Sequence, residues 1–141
     1  MITLQGLEWV AENARYPAVV HISIGGPEND DVNEAVERLT EDFGIPVVVS
    51  AGNQARGPCV DILAPGAHII SAVSSSTTAS TTKSGTGTAA PFVSGAVALY
   101  LSNHLGASVK EITQKLLQSA TQVDTLRNRW SPDFGRLQLA D

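Results

Sequence analysis

Cysteine is almost absent from this chain: Cys59 is the single one in 141 residues, which excludes an internal disulfide and a thiolate metal cluster. Basic charge is sparse as well. The nine Lys and Arg residues never cluster and are outnumbered by fourteen Asp and Glu, for a net charge of -5, so the footprint of a nucleic-acid binder is missing. Long apolar runs are also lacking. The longest, Ala96 to Leu101, is far short of the ~20 residues that cross a bilayer. Met1 is followed by Ile-Thr-Leu-Gln-Gly-Leu-Glu, without a basic n-region or a cleavage-site pattern. Read as it stands, the sequence predicts no nucleic-acid partner, no membrane partner and a chain that stays where it is made.

What remains has the composition of a folded domain. Apolar residues make up 43% and charged residues 16%, and a chain near this length can bury roughly 70% of its unfolded surface in one domain. Acidic residues are densest at Glu28, Asp30, Asp31, Glu34, Glu37, Glu41 and Asp42. Their spacing predicts a solvated helix face rather than a cation site.

Leu4, Leu7, Val10 and Ala11 recur at helical intervals in Leu4 to Ala14, a segment ended by Pro17. Ala18 to Ile24 is a β-branched run stopped by Gly25-Gly26, which reads as a buried strand. Asn29 or Asp30 can cap a second helix with Val32, Ala35, Val36 and Leu39 on its apolar stripe, and Gly44 closes it. Ile45 to Gly52 is another apolar strand, so residues 18 to 52 predict a βαβ unit with parallel strands. Further on, Ile69 to Val73 is apolar, and Ser74 to Thr82 reads as an ordered loop with a short strand rather than a linker. Thr88 to Ser102 is nearly all small or apolar, predicting a helix buried all round, with Pro91 in its first turn. Ser108-Val109-Lys110-Glu111 opens a helix through Leu117, and the tail holds Trp130 and strand character at Leu137 to Leu139.

Five separated stretches carry a resemblance, in order. They are Gly6 to Val20, Ser23-Ile24-Gly25-Gly26, Val47 to Asn53, Gly57 to Gly66, and Ser84-Gly85-Thr86-Gly87-Thr88-Ala89-Ala90-Pro91-Phe92. Together they resemble the subtilisin-like serine proteases, the subtilase or peptidase S8 family, and most closely the proteinase K branch, whose nucleophile motif reads Ser-Gly-Thr-Ser-Met-Ala-Ala-Pro-His. The resemblance implies an α/β fold, a partial subtilisin-like domain over residues 1–141 with a parallel sheet flanked by helices and a buried helix after the Gly87 turn. It assigns Asn53 to the oxyanion position, where removal of the amide donor lowers the rate about 10²–10³-fold in subtilisin. Ser23, Ile24 and Gly25 are assigned to pair with substrate backbone as an added strand, and Ser50, Ala51 and Gly52 to line the pocket before the scissile bond.

The departures from that pattern bear on chemistry. Gly87 stands at the nucleophile position and Phe92 at the motif histidine, and the family's aspartate and histidine motifs precede everything matched here. A serine attacks a carbonyl only with a base and an orienting group beside it. The resemblance therefore implies a truncated domain with no intact catalytic residue. Between Asn53 and Gly57 the family has a further strand and part of a calcium site, so Asp61 matches a calcium-liganding position without its partners; no metal and no cofactor is expected. His21, within the strand, His68, in a turn, and His104, near a helix end, read as structural or surface residues, and Cys59 as a small packed residue.

Two other functions fit less of the sequence. An endopeptidase would need its missing groups from another chain. A dinucleotide site is suggested by Gly85-x-Gly87-x-x-Ala90 before a helix, but no apolar strand precedes it, and no acidic residue lies about twenty residues on. A peptide or protein is the expected partner, and strands at Val19 to Ile24 and Val47 to Ala51 predict exposed sheet edges open to pairing with another chain.

Overall fold

A computed structural model describes residues 2–53 and 60–120, and the backbone of 134–139. The loop with Cys59 and the tail with Trp130 lie outside the described residues. Helix α1 (Ile2–Asn13) and helix α2 (Asp30–Glu41) flank strand β1 (Val20–Ile22), with strand β2 (Val47–Ser50) following α2. Asn29 caps α2: its Oδ1 accepts the Val32 N–H at 3.0 Å, an interaction worth about 1 kcal/mol. Gly44 has φ 62°, the left-handed turn glycine tolerates, and it returns the chain to Ile45 and β2. The acidic residues of α2 face solvent, while Val36 and Leu39 are buried.

Val20, His21 and Ile22 pair in parallel with Val47, Val48 and Val49, the βαβ unit expected from residues 18 to 52. β1 is shorter than the apolar run, because among the described residues no strand pairs with Ser23 to Gly26. Strand β3 (Ile62–Pro65) is followed by a hairpin of strands β4 (Ile69–Ala72) and β5 (Ser80–Lys83), which accounts for the Ser/Thr-rich segment. Helices α3 (Thr86–Asn103) and α4 (Val109–Ser119) precede strand β6 (Phe134–Leu139). The main sheet has the order β1-β2-β6-β3, and β6 runs antiparallel to both its neighbours. The sheet is thus parallel at β1–β2 and mixed beyond, since β6 fills the gap between β2 and β3. β2 has a neighbour on each side, which leaves β1 and β3 as the edges of this sheet.

Side chains alternate across a strand, and β2 shows it: Val47 belongs to a core with Leu7, Val36, Leu39 and Ile45, while Val48 belongs to a core with Ala89, Ala90, Val93, Val97, Leu101 and Ile112. The sheet is sandwiched between α1 and α2 on one face and α3 and α4 on the other. α3 corrects the sequence reading, because only this one stripe is buried. Phe92 and Leu99 are 48% and 69% exposed on the opposite side, where no described element covers them. Ser108 caps α4, its Oγ accepting the Glu111 N–H at 3.2 Å, while the Glu111 carboxylate accepts the Tyr100 hydroxyl instead of closing a full capping box.

Pro91 departs from expectation in an informative way. It is the sixth residue of α3, beyond the first turn, and its missing N–H leaves the Gly87 carbonyl without an i+4 donor. The Ser23 hydroxyl on the neighbouring strand end is within reach of that carbonyl, its Oγ lying 3.1 Å from Gly87 O.

Candidate functional site

The small-residue turn into α3 is gripped from two sides. Asn53, just beyond β2, accepts the Thr86 N–H at 3.0 Å and the Thr86 hydroxyl at 3.2 Å through its Oδ1. The Thr86 Oγ1 in turn accepts the Gly52 N–H at 3.1 Å. A backbone N–H can only donate, so these contacts place the amide oxygen of Asn53 against the start of the helix. Gly85 is required beneath this clamp. Its φ of 149° and ψ of 169° belong to glycine alone, and a Cβ there would sit 3.0 Å from Asn53 Oδ1. Gly85 N–H reaches Gly66 O at 2.8 Å, and the Thr88 hydroxyl lies 2.8 Å from the same carbonyl.

On the other side stands Gly87. A Cβ built on it would meet Ser23 Cβ at 3.6 Å and Ser23 Oγ at 3.7 Å, ordinary contact distances, so space for a side chain exists. His21 and Ser23, two residues apart, point to the same sheet face as Val48, toward α3. His21 Nε2 lies 2.6 Å from Ser23 Oγ, and its Nδ1 lies 2.9 Å from Ser94 Oγ on α3. Partial burial holds the His21 imidazole below its ordinary pKa of 6.5, because losing water disfavours the charged form.

The structure therefore brings Asn53 and Gly52 together at Thr86, and Ser23 together with Gly87. Ile24 and Gly25 extend from the end of β1 in exposed positions, and Ser50 and Ala51 are half-buried at the end of β2. His21 was read as a structural residue of the strand; its pairing with Ser23 and Ser94 is the feature that reading missed. The signal was present, because a His-x-Ser spacing on a strand puts both side chains on one face. His68 and His104 fit the sequence reading. His68 occupies a turn at φ 52°, and His104 stacks on Tyr100 with ring centroids 4.1 Å apart.

Among the described residues no three His, Cys, Asp or Glu side chains gather to hold a metal, and no helix is long and apolar enough to cross a membrane. The dinucleotide fingerprint lacks its context: the strand before Gly85 belongs to the β4–β5 hairpin, not to a parallel βαβ unit.

The family model for peptidase S8, the Subtilase family, matches residues 55–136, which is more than half of the chain. The chain belongs to the subtilase family. An extracellular serine proteinase of Thermus sp. (strain Rt41A) is 34% identical, the match covering 93% of this chain and 40% of that protein. A cuticle-degrading serine protease of Orbilia oligospora is 31% identical over 96% of this chain and 39% of its own length. Among solved structures, a cold adapted subtilisin-like serine proteinase superimposes with a TM-score of 0.80 at 29% identity, covering 88% of this chain and 56% of that one. This subtilase chain thus spans about two fifths of those curated relatives. The Thermus alignment runs over 164 positions although 93% of 141 residues take part, so about thirty positions have no counterpart in the subtilase chain.

Proposed function

We propose that this chain is a subtilase-family serine protease domain segment that binds extended peptides and does not cleave them by the family's triad. The observation that carries the reading is Gly87. It occupies the turn where the family motif places its serine, it has no side chain, and the surrounding clamp of Gly85, Thr86 and Asn53 is fully formed. The turn thus keeps its shape without a reacting group at 87. Peptide binding is supported by the exposed Ser23-Ile24-Gly25 segment at the end of edge strand β1, where an extended peptide can add as a further strand. Ser50, Ala51 and Gly52 supply a wall beside it, with Asn53 exposed at its end.

Titrating the purified chain with an extended apolar peptide amide, followed by calorimetry and mass spectrometry, tests this. Saturable binding with the peptide recovered intact is expected. Gly25→Pro, which deletes an N–H available to an added strand, should weaken binding about tenfold or more, ~1.4 kcal/mol. Absence of binding, or cleaved peptide that tracks the protein through purification, would contradict the reading.

A further inference from the structure

We propose that Ser23, with His21 as its base, is a nucleophile in its own right, accepting acyl groups from small activated esters and phosphonyl groups from fluorophosphonates. The geometry is that of a one-way proton chain. In the tautomer that carries its proton on Nδ1, the Ser23 hydroxyl donates to His21 Nε2 at 2.6 Å in place of Gly87 O, the Nδ1 proton goes to Ser94 Oγ at 2.9 Å, and the Ser94 hydroxyl donates to Ala90 O at 3.3 Å. This assignment uses each hydrogen once and leaves His21 neutral. Gly87 O, orphaned by Pro91, competes for the Ser23 proton at 3.1 Å, but the Nε2 contact is the shorter, and in it the serine faces a base.

Three further features suit the task. Ser23 and His21 are both exposed, so an ester reaches them without any opening of the fold. Gly87 has no side chain to block the approach, and Ser23 Oγ lies within 3.7 Å of where that side chain would begin. The Gly87 N–H, in the first turn of α3, has no intrahelical acceptor and is left to donate to a developing oxyanion. Ser94 is a positioning residue, holding the imidazole by its Nδ1 proton. Being neutral, it stabilises an imidazolium less than a carboxylate does, which restricts the site to esters with good leaving groups and excludes amides.

The step balances without any co-reactant. Ser23 Oγ forms a bond to the ester carbonyl carbon while its proton moves to His21 Nε2. The tetrahedral adduct then collapses with cleavage of the carbon–oxygen bond to the leaving group, which takes the proton from His21. Water, deprotonated by the same imidazole, later releases the acid and restores the Ser23 hydroxyl.

This inference stands apart from peptide binding, since strand addition uses the backbone of Ser23 to Gly25 and acylation uses a side chain. The test treats the full chain with p-nitrophenyl acetate and, separately, with a fluorophosphonate, following p-nitrophenolate release, intact mass and the modified peptide. A single adduct on Ser23 is expected, absent in Ser23→Ala, with an unchanged urea midpoint showing that the variant is folded. His21→Ala should slow acylation about 10²-fold, and the wild-type rate should rise with pH to a plateau as the imidazole deprotonates, a dependence missing from His21→Ala. Ser94→Ala should slow acylation and alter that pH profile without changing the site labelled. No adduct, an adduct on another residue, or undiminished labelling of His21→Ala would overturn the proposal.

Discussion

The Gly85–Thr86 end of the turn and the Gly87 end lie two residues apart and are held by opposite means. At the first, a buried threonine, a left-handed glycine and an asparagine amide satisfy one another, and removing any one strands a polar group or forces a clash. At the second, exposed side chains on a strand end meet a helix that Pro91 has deprived of one hydrogen bond. The first end sets the shape of the site; the second carries its remaining chemistry. The contrast teaches that the shape of this turn rests on Gly85, Thr86 and Asn53 and needs no side chain at 87.

That comparison breaks if the two ends respond alike to mutation. Gly85→Ala is expected to have the largest effect on stability, about 1–3 kcal/mol from backbone strain alone, with the contact to Asn53 adding to it; denaturant unfolding measures the loss. Thr86→Val removes the hydroxyl that accepts the Gly52 N–H and is expected to cost about 1–3 kcal/mol through the stranded donor. Gly87→Ala should act in the opposite direction, stabilising by about 0.4–1 kcal/mol through the unfolded chain, since its Cβ meets Ser23 at ordinary contact distance. Ser23→Ala and His21→Gln, both at exposed positions, should stay within about 0.5 kcal/mol of wild type.

The smallest expected effect is on acid stability. His21 is held below its ordinary pKa of 6.5 by partial burial, and its bonded partners, Ser23 and Ser94, are uncharged hydroxyls. Its contribution is therefore fully present above pH 6.5 and is lost as pH falls through the lower folded-state pKa. Urea midpoints on either side of that window should fall more on acidification for wild type than for His21→Gln. Equal falls would place the imidazole in water and loosen its link to Ser94.

Much of this was legible in the sequence, for local reasons. The βαβ unit follows from two apolar runs around an Asn29-capped stripe and α4 from its cap, while the Ser74 to Thr82 segment reads only as a loop with a short strand, not as the β4–β5 hairpin it forms with Ile69–Ala72. Periodicity could not show that β6 inserts antiparallel between β2 and β3, because strand order depends on contacts far apart in the chain. It also overstated the burial of α3: small apolar residues all round permit burial on every side, whereas the described layers cover one stripe. In the site, Asn53, Gly85 and Gly87 stood out because motif and resemblance agreed. His21 did not, since a histidine in an apolar strand reads as packing until Ser94, 73 residues away, is placed beside it.

The account turns on the absence of amide-bond chemistry from a site that retains its shape. Hydrolysis of a peptide p-nitroanilide by wild type and by Gly87→Ser, measured side by side, addresses it most directly. No amide cleavage is predicted for either protein, because among the described residues no base backed by a carboxylate stands beside position 87. Cleavage by the wild type, or its appearance on restoring the serine, would contradict the account.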